Sequence, residues 1–317
     1  MTHLITLSLL VACPATDTTQ GDEETTSSPY SANVTTAEDV RELSHFTTGE
    51  ALLMLGYLTP FAAIYELYDE PGENCPAWSE DEFGSVATID AGAGCTDEAG
   101  VVWSGSLVTT SVDLDGDGWV DIWDYTMDQL SYRSEWSHEY GDTGEEETYT
   151  SSIDFVGDGT FSLDLTDGHF EMLVSLGYVA QDSLGEYEAL DMSADYVGTY
   201  IESEDGYVIS GEGEATVNDL GTVYTVSTGQ VWDAAACDDE FTQGTLSLEG
   251  GGNIAEITFD GATSCDSDRT GTWTLNGVDK GQIKNVGSCS TTGSSPASFL
   301  GWLVLPLGLV ASRRRRS

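Results

Sequence analysis

The sequence predicts a mainly β fold, an antiparallel meander of about a dozen strands behind a short N-terminal helical segment. Three observations carry this. From residue 75 to 287 apolar and polar residues alternate with period two, the pattern of strands wet on one face. Glycine- and asparagine-rich turns separate the runs. No alternation of strand and helix patterns appears, which argues against a parallel sheet. Pattern alone leaves three closures open: a barrel, a sandwich, or a curved sheet with the helices across one face.

Composition narrows the partners. The 317 residues hold 56 acidic and 9 basic side chains, a formal net charge of -47. Four of the basic ones are Arg313 to Arg316, which leaves Arg41, Arg133, Arg269, Lys280 and Lys284 for the body. Such a surface repels phosphate backbones, so nucleic acid is excluded as a partner. It attracts cations and stays in solution at high salt.

Residues 1–12 read as a signal segment, with an apolar run from Leu4 to Ala12 and only His3 where a basic start is usual. Leu10-Val11-Ala12-Cys13 resembles a bacterial lipobox. The resemblance implies cleavage before Cys13 by a lipoprotein-processing protease and diacylation of its thiol, enough for stable membrane anchoring. Residues 13–36 are rich in Ser, Thr, Asp, Glu and Gln and lack periodicity, as a flexible tether does. Its reach is about 25–30 Å.

Residues 37–69 form the helical segment. Thr36 is placed as a cap, Glu38 and Asp39 meet the positive dipole end, and Val40, Leu43 and Phe46 recur at helical spacing. Ala51 to Leu67 is strongly apolar, with Pro60 set to kink or split it. It is short for a membrane span and contains Glu66, so the expectation is a helix pair packed on the sheet.

Residues 70–286 form the β domain. Tyr149, Ser151, Ile153 and Phe155 alternate with polar neighbours, as do Phe161, Leu163 and Leu165, and then Tyr207, Ile209, Gly211, Gly213, Ala215 and Val217. Expected turns lie at Gly157-Asp158-Gly159, Gly250-Gly251-Gly252 and Asn276-Gly277, the last a strong type I′ hairpin signal.

In residues 287–317, Cys289 precedes a small polar spacer, an apolar run from Ala297 to Ser312 interrupted by Pro306, and the arginine block. As a helix those 16 residues would span about 24 Å, short of a ~30 Å hydrocarbon core. Cysteine, spacer, short apolar run and arginines in this order resemble a myxobacterial-type C-terminal sorting tail. The resemblance implies removal of the tail by a sorting protease and anchoring near Cys289. With the lipobox, it places the chain among exported lipoproteins of the outer membrane and cell surface.

Four cysteines remain, Cys75, Cys95, Cys237 and Cys265. In an exported chain they suit disulfides, and nearness in sequence favours Cys75–Cys95 with Cys237–Cys265, although two other pairings fit the count.

One loop carries metal chemistry. Asp113, Asp115, Asp117 and Asp121 stand at positions 1, 3, 5 and 9 of a DxDxDGxxD calcium pattern, with Gly118 at the turn. Trp119 would lend a backbone carbonyl, and Asp124 stands at position 12. Clustered aspartates suit Ca2+, whose shell is six to eight oxygens. The loop also lies between two strand patterns, so a metal-free Asp/Gly hairpin turn reads the same way.

No nucleophile–base set appears, and neither do the GxSxG, HExxH, phosphate-loop or dinucleotide patterns. His45, His138 and His169 stand outside any such pattern. The expectation is a non-catalytic surface lipoprotein with a structural, adhesive or partner-binding role, stiffened by calcium. The alternative is a secreted carbohydrate-binding protein or hydrolase with an acidic cleft, in which Trp103, Trp119, Trp123, Trp136 or Trp232 would stack on sugar. That alternative requires a concave site with two facing carboxylates near an aromatic ring.

Overall fold

The computed structural model describes residues 28–57, 75–80, 85–98, 100–116, 120–140, 147–182, 187–203, 206–232, 241–260 and 270–287, with backbone alone at 136–140, 147–151, 180–182 and 187–189. Thirteen strands form one antiparallel sheet in which each pairs only with its neighbours in sequence. They are β1 (Ala77–Glu80), β2 (Val86–Thr96), β3 (Val102–Val112), β4 (Ile122–Tyr140), β5 (Glu147–Asp164), β6 (His169–Asp182), β7 (Tyr187–Ser203), β8 (Gly206–Val217), β9 (Gly221–Trp232), β10 (Phe241–Gly250), β11 (Asn253–Phe259), β12 (Gly271–Leu275) and β13 (Val278–Ile283). Of the three closures the sequence allowed, the pairing is that of an open sheet, because among the described residues no pairing joins β13 to β1.

The strands differ in length. β4 is paired with β5 out to Tyr140 and Glu147, whereas β3 begins at Val102, opposite Arg133. On the far side β8 ends at Val217, opposite Met192, while β7 continues back to Tyr187. β4 to β7 therefore project past their neighbours as two adjoining hairpins.

Alternation gives the sheet one apolar face. Trp123, Tyr125 and Met127 on β4, Phe155 and Phe161 on β5, Phe170, Met172 and Val174 on β6, and Met192, Ala194 and Tyr196 on β7 are all buried. Residues between them, such as Glu171, Leu173, Asp195 and Val197, are exposed.

Two short helices cover the apolar face. α1 (Ala37–Thr47) starts at a full capping box: the Thr36 hydroxyl accepts from Asp39 N, and the Asp39 carboxylate accepts from Thr36 N. It buries Val40, Leu43, Ser44 and Thr47. α2, described over 49–57, follows after Thr48 and buries Leu52, Leu53, Leu55 and Tyr57. At one end of α2, Gly49 N donates to Gln230 Oε1 of β9 at 3.1 Å. At the other, Tyr125 of β4 donates to the Gly56 carbonyl at 2.6 Å, and the Tyr57 ring lies 5.0 Å from Trp123. Seven helical residues advance about 10 Å, whereas five strand spacings on a flat sheet are about 24 Å. One short helix reaches β9 and β4 together because the sheet curls around it.

Extended chain leads into this hollow. Ala32 and Val34 are fully buried, Ala32 N donates to Thr222 O at 2.9 Å, and Gly251 N donates to Tyr30 O at 2.8 Å. Of the tether expected over 13–36, residues 28–35 thus lie against the β9 and β10 ends, and 13–27 fall outside the described residues. The last described residues pack on α1: Arg41 Nε donates to Lys284 O at 2.9 Å, Gly287 N donates to Ser44 Oγ at 3.1 Å, and His45 Nδ1 meets the Gly287 carbonyl.

One expected turn is not a turn. Gly157-Asp158-Gly159 runs straight through β5. There β4 carries an extra residue, since Asp128 and Gln129 lie between the Met127–Gly159 and Leu130–Gly157 pairs. Gln129 takes a φ of 47° and its amide donates to Asp158 Oδ1 at 3.1 Å. The glycines serve close packing at this bulge: a Cβ on Gly159, whose φ is +122°, would fall 1.9 Å from the Leu173 carbonyl oxygen. Asn276-Gly277, in contrast, forms the expected tight hairpin, with φ values of 51° and 75° between the paired Leu275 and Val278. Cys75 and Cys95 are disulfide-bonded across 20 residues. Cys13, Cys237, Cys265 and Cys289 fall outside the described residues.

Candidate functional site

The calcium-patterned loop closes the β3–β4 hairpin. Asp121 N donates to Val112 O at 2.8 Å, and Leu165 N donates to Asp121 O at 2.7 Å, which ties the loop to the end of β5. Within the loop Gly116 takes a φ of +79°, a left-handed turn that glycine adopts readily. Asp121 Oδ2 accepts from Leu114 N, and Asp113 Oδ1 from Gly116 N, both at 2.6 Å. These bonds fold the acids inward.

As a result, carboxylate oxygens of Asp113, Asp115 and Asp121 all lie within 4.8 Å of one another, with Asp113 and Asp115 exposed and Asp121 half-buried. Oxygens on one calcium sit at about 2.3–2.6 Å from it, so any two are separated by at most about 5 Å. The three fit on one such shell, and without a cation they repel one another. They are loop positions 1, 3 and 9. Asp117, Gly118 and Trp119 fall outside the described residues. Asp124 stands within β4, opposite Thr110 and Ser162, and is not one of the converging three.

The tryptophans proposed as a sugar platform are placed otherwise. Trp103, Trp123 and Trp232 are buried. Trp123 packs on Tyr57, Tyr125 and Phe161 at 5.0–5.7 Å, Trp103 on Tyr132 at 5.2 Å, and Trp232 on Tyr207 at 5.8 Å. Trp119 is outside the described residues, and Trp136 and His138 lie in the backbone-only part of β4.

The outer face has a shallow, open depression of about 390 Å³ over β6 to β9, lined by His169, Val197, Thr199, Ser210, Glu212 and Val226 among others. It holds one carboxylate, Glu212, which accepts from the Tyr224 hydroxyl at 3.0 Å. Around it, exposed acids stand at outward positions: Glu171, Asp195 and Glu214 beside Glu212, and Glu256 on β11.

A second polar cluster, which the sequence reading missed, lies inside. Thr225, Ser227 and Gln230 of β9 face the helices and are buried, as is Glu50 in the first turn of α2. Thr225 Oγ1 donates to Thr47 O at 2.8 Å. Burial pushes the Glu50 carboxyl up to about 7. It pushes up the Tyr196 and Tyr200 hydroxyls as well. The available signal was the run of polar residues on both faces of β9, which no purely solvent-wet strand needs.

No family model matches the sequence, and neither a curated protein nor a solved structure is significantly similar to it.

Proposed function

We propose that this chain is a non-catalytic, lipid-anchored surface protein, exported and processed at Cys13 and Cys289, whose β domain displays an acidic face and is stiffened by calcium at the β3–β4 loop. The observation that supports it best is the division of the sheet. Its inner face is given to rings and two helices, and its outer face carries Glu171, Asp195, Glu212, Glu214 and Glu256 in alternation. A protein of net charge -47 built this way meets its surroundings through its outside, and cations are its natural counterpart. Calcium at Asp113, Asp115 and Asp121 would stabilise the native hairpin by binding the folded state alone, with no reaction step.

Two measurements test this reading. In calorimetric titration and in melts with and without EDTA, calcium should bind and raise the midpoint, and Asp113→Ala should abolish both effects. Silence in wild type and variant alike removes calcium from the proposal. Mass spectrometry of the mature protein should find a diacylated Cys13 at the N-terminus or a chain ending near Cys289. An intact, unmodified cytoplasmic chain overturns the surface assignment.

A further inference from the structure

We propose that Glu50 makes the docking of α2 onto the sheet a proton-controlled step: the neutral side chain holds the helix in the hollow, and its ionisation loosens it. The geometry supplies the reason. Glu50 sits in the first turn of α2, where a carboxylate normally gains from free backbone amides. Here the amides of the neighbouring residues are taken. Gly49 N donates to Gln230 Oε1, Ala51 N to Thr48 Oγ1 at 3.2 Å, and Leu52 N to Thr48 O at 3.0 Å. Among the described residues no hydrogen bond or ion pair reaches the Glu50 carboxyl, although the residue is 9 % exposed. The helix start is pressed onto the sheet at the preceding residue, since a Cβ on Gly49 would lie 2.6 Å from Ile209 Cγ2. An ionised carboxylate in this place is largely desolvated, with no hydrogen bond among the described residues to compensate.

Among the described residues no cation is paired with it. Tyr200 of β7 feels the Glu50 charge and stacks on Tyr207 of β8, Tyr196 lies on the same inner face of β7, and Tyr125 of β4 stands at the far end of α2. β9 contributes the neutral Thr225, Ser227 and Gln230, whereas Phe161 of β5 and Met172 of β6 lie at the other end of α2, against Gly56. Burial raises Tyr125, Tyr196 and Tyr200 above the usual phenol range, so they stay neutral. The nearby fields are negative: Glu202 acts on Tyr200 and Glu212 on Tyr196. On α1, His45 is engaged with the Gly287 carbonyl. The docked helix holds the Glu50 proton more tightly than the released one, with a midpoint raised from 4.5 to about 7. Docking is therefore strongest below pH 4.5 and weakens as pH rises to about 7. Two and a half pKa units correspond to about 300-fold in the docking equilibrium.

Hydrogen exchange on the full-length protein, read on peptides covering 49–57 and corrected for intrinsic rates, measures that equilibrium. Between pH 4.5 and 8 the opening constant should rise about 150-fold in wild type, because the released carboxyl is already half-ionised at pH 4.5. It should change less than about tenfold in Glu50→Gln, which leaves His45 in place to report any histidine effect. A rise of less than about tenfold in wild type, or the same rise in both proteins, overturns the proposal. Should the glutamine variant not fold, carbon NMR of the wild-type Glu50 carboxyl decides. A midpoint above about 5.5 sustains the switch, and one at or below that value overturns it.

Discussion

Replacing Gly56 by alanine probes the closeness of helix and sheet on which this architecture rests. In an ordinary helix the change would stabilise by about 1 kcal/mol. Here the new Cβ would fall 2.4 Å from Phe161 Cδ2 and 2.6 Å from Cε2. Carbon atoms at rest stand about 3.5–4.0 Å apart, so ring or helix must yield by more than about 1 Å. The Phe161 ring is held at 5.6 Å from Tyr125 and 5.7 Å from Trp123 and is 2 % exposed. The helix is left to move, and lifting it stretches the 2.6 Å bond from Tyr125 to the Gly56 carbonyl. Overpacking costs about 1–3 kcal/mol, and a buried hydroxyl losing its partner about 1–3 kcal/mol more. Set against the helical gain, Gly56→Ala should destabilise by about 1–5 kcal/mol, read as a lower urea midpoint at unchanged slope. Adding Phe161→Leu should return part of the loss. Equal or greater stability in Gly56→Ala would refute the close packing of α2 on β5.

Two further changes test features of the sheet. Removing the Cys75–Cys95 bridge with the double serine variant frees a 20-residue loop and should cost about 3 kcal/mol in urea unfolding; an unshifted midpoint counts against its contribution. Asn276→Ala removes the acceptor for Ile254 N and the donor to Asn253 Oδ1, both at 2.9 Å, and places alanine at a φ of 51°. It should cost about 1–3 kcal/mol, and a neutral result would mean that the turn relaxes freely.

Strand identity was legible because this sheet has one wet face. Tyr207, Ile209, Gly211, Gly213, Ala215 and Val217 were readable as one side of a strand, and they are the inner side of β8. Asn276-Gly277 named its own turn, since few other dipeptides adopt two left-handed residues in succession. Gly157-Asp158-Gly159 misled for the opposite reason. A glycine needed for a bulge and a close neighbouring strand has the same local signature as a glycine needed for a turn. The open edge between β13 and β1 was not legible either, because curl is set by what fills the hollow, and that is decided by α2 meeting β9 and β4 at once.

The two candidate sites were legible to different degrees for a related reason. Asp113, Asp115 and Asp121 lie within nine residues, so backbone turns alone bring them together, and their spacing announces it. Glu50, Tyr200 and Gln230 are 180 residues apart from first to last. Glu50 by itself reads as a solvated acid at a helix start, the commonest place for one. Only the docking of α2 shows that the first-turn amides are spent on Gln230 and Thr48 and that the carboxyl has been carried inside. In so acidic a chain, the carboxylate with the strongest structural consequence is the one removed from the crowd. The outward acids share water and counterions, whereas among the described residues no cation is paired with Glu50 and the amides beside it are engaged. The proton is then the remaining way to neutralise it, and that couples the helix to the pH of the surface on which the protein is proposed to sit.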